Sequence, residues 1–125
     1  MRKPILIVDD EPIVQESIKE CLNDAGYQAV TTDSDEEALQ LIKGQDFSII
    51  VLDIRWPGEI GLMALKKMRA LKPQSKFIVV TAYPSPDLAI KAMKLGIVDY
   101  LSKPIAPDDL ERLIRETFLK CESEQ

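Results

Sequence analysis

Three carboxylates in this chain stand directly behind apolar runs. Ile5-Leu6-Ile7-Val8 leads into Asp9-Asp10, and Ile49-Ile50-Val51-Leu52 leads into Asp53. Short apolar runs rich in β-branched residues read as buried strands, so these acids are expected at strand C-terminal ends. Two further runs end in different groups: Phe77-Ile78-Val79-Val80 in Thr81, and Val98-Asp99-Tyr100-Leu101-Ser102 in Lys103-Pro104. If the ends share one edge, the carboxylates, a hydroxyl and an amine meet there. Acids that close raise one another's pKa and require a cation. Oxygen donors of this kind suit a hard ion such as Mg2+. The chain has no histidine, and Cys21 and Cys121 match no metal-binding spacing, which argues against zinc or copper. A carboxylate beside Mg2+ can attack a phosphoryl group and form an aspartyl phosphate, provided that positive charge and hydrogen-bond donors neutralise the phosphoryl oxygens.

Something must bring these positions together. The chain alternates short apolar runs with helical patterns about every 20–25 residues, the rhythm of βα units. Strands are expected at 4–8, 28–32, 48–52, 76–81 and 98–102. Pro12 suits a first helical position, with Val14, Ile18, Cys21, Leu22 and Ala25 on one face and Gly26 as the stop. Ser34 and Glu37 form a capping-box pattern for the second helix, closed by Gly44. The third helix follows Gly61 and stops before Pro73; the fourth opens at Ser85-Pro86 and ends at Gly96. The fifth carries a stripe of Leu110, Leu113, Ile114, Thr117, Phe118 and Cys121, ending near 121 with a tail at 122–125. Right-handed crossovers make this an α/β fold: a five-stranded parallel sheet with helices on both faces. The flavodoxin-like order 2-1-3-4-5 fits the count, makes strands 1 and 3 neighbours, and puts ligands at the carboxyl ends of those strands.

Composition narrows the partners. At 125 residues the chain has the length of one domain, 1–125, and its charge of −5 argues against a nucleic-acid-binding surface. No run is long enough to span a membrane, and the apolar stretch after Arg2-Lys3 is cut by Asp9, unlike a signal peptide. Two unpaired cysteines fit a cytoplasmic address.

The full pattern resembles the receiver domain of two-component response regulators, over essentially the whole chain. Asp9-Asp10, Asp53 with Pro57 and Gly61 at the family's offsets, Thr81-Ala82, Tyr100 and Lys103-Pro104 carry the resemblance. It implies Asp53 as phosphoacceptor, Mg2+ held by Asp9, Asp10, Asp53 and the Arg55 carbonyl, and Thr81 and Lys103 as contacts to the phosphoryl group. It further implies a cis Lys103-Pro104 bond and a switch in which Tyr100 follows Thr81. The implied partner is a histidine kinase or phosphotransfer protein. The surface of the fourth helix, fifth strand and fifth helix, with Lys91, Lys94, Asp99, Arg112 and Arg115, would change and control an output or form a homodimer. Arg55 and Tyr83, two residues beyond Asp53 and Thr81, stand in the family beside the route of attacking water, so a bulky pair implies a long-lived phosphoryl group. Pro84 and Pro86 stiffen the following loop, and Trp56 reads as a packed loop aromatic.

Taken singly, each residue has a plainer reading: Asp9 or Asp10 as a helix cap, Thr81 and Tyr100 as packing, Lys103 as a solvated charge. Their convergence on one edge favours the site. A Mg2+-dependent phosphohydrolase is the enzymatic alternative, but it needs a second acid two residues after the nucleophile, where this chain has Arg55. A phosphorylation-independent module of the same fold would tolerate loss of an acid, Thr81 or Lys103, and none is missing.

Overall fold

The computed structural model describes residues 2–56 and 58–123. Five parallel strands, β1 (Ile5–Val8), β2 (Ala29–Thr32), β3 (Ile49–Ile54), β4 (Lys76–Thr81) and β5 (Asp99–Ser102), pair in the order β2-β1-β3-β4-β5. Five helices alternate with them: α1 (Pro12–Asp24), α2 (Asp35–Gly44), α3 (Met63–Leu71), α4 (Pro86–Lys94) and α5 (Pro107–Ser123). The expected flavodoxin-like architecture is therefore present. No described helix is long and apolar enough to cross a membrane.

Alternation along the strands explains the two cores. Ile5 and Ile7 face α1 and α5 and pack with Ile18, Leu22, Leu110 and Ile114. Leu6 and Val8 face the other way, toward Ala38, Ile42, Leu65, Met68 and Ala92 of α2, α3 and α4. A strand between two neighbours and under helices on both sides must be apolar throughout, and β1 and β3 are buried at every position. The margins are looser: β5 is half-buried and ends exposed.

Helix punctuation follows the local chemistry. Pro12 and Pro86 occupy first-turn positions, and Gly26 and Gly96 take left-handed φ values of 95° and 84° after α1 and α4. Ser34 Oγ accepts from the Glu37 N–H at 3.0 Å. The Ser34 N–H turns to Thr32 Oγ1 instead, so only half of the capping box forms. Several details differ from the expected ones: β1, β2, β3 and β5 each begin one residue later. α5 continues to Ser123, past 121. Ala25 lies exposed at the end of α1 rather than on its buried face. β3 continues through Asp53 to Ile54, because the longer β4 supplies partners: Asp53 pairs with Val80 and Ile54 with Thr81.

Between β3 and α3 the chain makes a 3-10 turn at Glu59–Leu62. A Cβ on buried Gly61 would lie 2.6 Å from Ile54 Cγ2 and fall onto the Trp56 carbonyl oxygen. Backbone cannot retreat as a flexible side chain can. Gly61→Ala is expected to destabilise the fold by about 1–3 kcal/mol, read as a lower urea midpoint at unchanged slope.

Candidate functional site

The register levels the C-terminal ends of the strands. Val8 stands opposite Leu52, so Asp9 and Asp53 leave neighbouring strands side by side. Their parity with Ile7 and Val51 sets both on the α1–α5 face of the sheet. Asp9 and Asp53 are buried and Asp10 is exposed, yet oxygens from all three carboxylates lie within 4.8 Å of one another. The Lys103 N–H bonds the Thr81 carbonyl at 2.8 Å, holding the end of β5 against β4, and the Lys103–Pro104 peptide is cis.

Lys103 closes the cluster. Its Nζ lies 3.1 Å from Asp9 Oδ2, 3.0 Å from Asp53 Oδ2 and 2.8 Å from Glu11 Oε1, with the side chain only 13% exposed. Burial pushes the Asp53 carboxyl up to about 6; the Lys103 hydrogen bond opposes the rise, while Asp9 and Asp10 add to it. Burial alone would lower Lys103, but its bonds to Glu11, Asp53 and Asp9 outweigh it and hold the ammonium above the ordinary lysine range. Both partners rise, Asp53 chiefly through burial and Lys103 through its three acidic partners.

Asp9 also fills its plainer role. Its Oδ1 accepts from the Glu11 N–H at 2.9 Å just before α1, leaving Oδ2 for Lys103. The start of the helix thus fixes one oxygen and leaves the other against the ammonium.

Thr81 lies on the opposite face of the same edge, with the parity of Val79, and is fully buried. Its Oγ1 donates to the Ile54 carbonyl at 2.9 Å and accepts from the Tyr83 N–H at 3.0 Å. Tyr100, paired with Val79, is half-buried against the core on that face. Arg55 and Tyr83 both line the open cleft, of about 750 Å3, that also contains Asp10, Asp53 and Lys103. The Arg55 guanidinium turns toward the loop before α2, donating to the Asp33 carbonyl at 2.8 Å and to Asp35 Oδ1 at 2.9 Å.

Two expectations need revision or fall outside. Trp56 is not packed: it is 61% exposed and lines the cleft, while its backbone carbonyl passes so close to Gly61 that a side chain there would collide with it. Pro57 lies outside the described residues. Two site residues had gone unread in the sequence. Glu11 completes the run Asp9-Asp10-Glu11, a visible acidic signal, whereas Asp35 looked like any first-turn acid of a helix.

The donor set fits a metal. Clustered carboxylate oxygens with no nitrogen or sulfur donor among the described residues match a hard divalent cation and no softer one.

Comparison with known proteins places this geometry. Residues 5–115 match the family model described as the response regulator receiver domain. The alginate biosynthesis transcriptional regulatory protein AlgB of Pseudomonas aeruginosa is 41% identical over 106 residues, which are 85% of this chain and 24% of that protein. The chain thus spans about a quarter of the length of that curated relative. A CheY-like receiver domain protein from Methanospirillum hungatei superposes with a TM-score of 0.90 at 33% identity, covering 100% of both chains. A response regulator from Burkholderia pseudomallei, solved with a phosphorylated aspartic acid, calcium ion and citrate, gives 0.79 at 25% identity, covering 98% of this chain and 72% of that one.

Proposed function

This chain belongs to the response regulator receiver domain family, and we propose that it works as a phosphorylation switch with Asp53 as the acceptor. The observation that carries this reading is the single ammonium of Lys103, held at 3.0 Å from a buried Asp53 beside two further acids. The phosphorylated aspartic acid and calcium ion of the Burkholderia pseudomallei regulator support it.

Having no histidine, the chain takes its phosphoryl group from a partner, a histidine kinase or phosphotransfer protein. An Asp53 oxygen attacks the phosphorus of the partner's phosphohistidine; the new P–O bond forms as the P–N bond breaks and the imidazole leaves. Asp9, Asp10, Asp53 and the Arg55 carbonyl would hold Mg2+, which when bound would supply positive charge to offset the acids and the transferring oxygens. Lys103 then pairs with the phosphoryl group through the ammonium it now gives to Asp53. Thr81 exchanges its bond to the Ile54 carbonyl for one to a phosphoryl oxygen. That exchange draws the loop after β4 inward, and Tyr100 follows into the space vacated. The α4–β5–α5 surface shifts between two arrangements that the phosphoryl group stabilises differently. This surface addresses an output or a second copy of the chain. Arg55 and Tyr83 flank the approach of water and prolong the phosphorylated state. The protein is a signalling domain that works in the cytoplasm and makes no direct contact with nucleic acid.

The test is direct. Incubated with acetyl phosphate and Mg2+, the protein is expected to gain the mass of one phosphoryl group, labile to base and absent when EDTA replaces the metal. An unchanged intact mass with acetyl phosphate, phosphoramidate and a phosphorylated histidine kinase alike would overturn the proposal.

A further inference from the structure

The acid cluster is met by a cation from each side. Lys103 serves Asp9, Asp53 and Glu11. Asp10 lacks that ammonium and instead lies 3.9 Å from Nη1 of Arg55. The guanidinium stands there because the loop before α2 holds it: Nη1 donates to the Asp33 carbonyl at 2.8 Å and Nη2 to Asp35 Oδ1 at 2.9 Å. Two bonds to a planar group fix its orientation as one bond to an ammonium could not. The pair is sheltered, with Arg55 20% and Asp35 33% exposed. Asp35 is itself anchored, being the first residue of α2, next to Ser34, whose side chain caps the helix.

We infer that the charge of the Arg55 guanidinium weakens divalent-cation binding at Asp9, Asp10 and Asp53, and that Asp35 is a positioning residue that limits this effect by holding the guanidinium back from Asp10. The inference rests on the reading of these acids as a Mg2+ site. A cation entering the cluster meets a positive charge already paired with one of its ligands. Asp35 restrains that charge in two ways, by tethering the guanidinium to α2 and by neutralising part of its field. Without Arg55 the cluster is more negative and binds the metal more tightly. Without Asp35 the guanidinium is free to close on Asp10 and binding weakens. The metal affinity, and with it the fraction of protein ready to accept a phosphoryl group, is thereby linked to the conformation of the loop between β2 and α2.

Because the two substitutions move the affinity in opposite directions, titration with MgCl2 separates them. The sole tryptophan, Trp56, directly follows Arg55 and lines the cleft, so its fluorescence reports the midpoint. At about 0.1 M ionic strength, Arg55→Met is expected to lower the Mg2+ dissociation constant roughly three- to tenfold. Asp35→Asn is expected to raise it by roughly two- to fivefold, with Asp35→Glu close to wild type. In the Arg55→Met background, Asp35→Asn should change it by no more than about twofold, since there is no guanidinium left to position. An unchanged midpoint in Arg55→Met, or an equal effect of Asp35→Asn in both backgrounds, overturns the inference while leaving the phosphoacceptor reading intact. A wild-type protein that binds no Mg2+, checked by calorimetry, overturns both.

Discussion

Asp53→Asn is expected to take up no phosphoryl group from acetyl phosphate and, in metal-free buffer, to be more stable than the wild type at neutral pH. The first effect follows from the loss of the attacking oxygen: an amide oxygen is no nucleophile toward phosphorus under these conditions. The second follows from burial. In the folded protein the Asp53 carboxyl is held up to about 6, chiefly by burial, against about 3.9 in an unfolded chain. A carboxyl with a raised pKa binds its proton more tightly when folded, so it destabilises the fold once pH climbs above the unfolded value. The penalty is absent below about pH 4, grows through pH 6 and is complete by pH 7. Two pH units correspond to a ceiling of about 3 kcal/mol. The amide carries no charge to bury, and Lys103 keeps Asp9 at 3.1 Å and Glu11 at 2.8 Å. Urea denaturation in EDTA at pH 4 and pH 7 reads the difference. The variant should match the wild type at the lower pH and exceed it at the higher one. Equal midpoints at both pH values would show that Asp53 is not strained by its burial, and a base-labile adduct on the variant would move the acceptor elsewhere.

Lys103→Met should do the reverse. The methionine keeps the length of the buried stem but removes the ammonium bonded to Asp9, Glu11 and Asp53. Two of those acids are buried, and acids left without their cation in a sheltered place cost about 3–5 kcal/mol. The loss is therefore expected in metal-free protein at pH 7. It should shrink at pH 5, where Asp53 is neutralised, and shrink again when Mg2+ restores positive charge to the cluster. Phosphorylation is expected to fall as well, since no ammonium remains to meet the phosphoryl oxygens. Equal urea midpoints for variant and wild type in EDTA at pH 7 would mean that the ammonium contributes little, and the charge balance argued for this edge would fail with it.

Much of this edge could be read from residue types alone. Val8 and Leu52 had to be interior to neighbouring strands, because only a strand covered on both faces is apolar at every position, and the acids behind them were bound to emerge together. Periodicity could not say where β3 stops, since an aspartate following an apolar run looks the same inside a strand as after it. Partner length decided the matter: β4 runs to Thr81 and draws Asp53 and Ile54 into register. Side-chain direction at loops was equally hidden. Trp56 looked like packing because tryptophan is usually buried, but its backbone carbonyl passes close to Gly61 while the residue itself is exposed. Arg55 was seen as a bulky neighbour of Asp53, and its long arm reaching to Asp35, 20 residues away in sequence, belongs to tertiary structure alone.

The looseness of β5 has a mechanical meaning. β1 and β3, which carry the acids, are each held by a hydrogen-bonded neighbour on both sides and buried throughout, whereas β5 has only β4 beside it. Displacing β3 would break two ladders and open both cores; displacing β5 strains one ladder at the rim. The sheet is thus stiff where charge is placed and compliant where Tyr100 sits. In the proposed switch, a force applied at Asp53 would be spent on the margin, and the site that generates it would keep its shape for the next cycle.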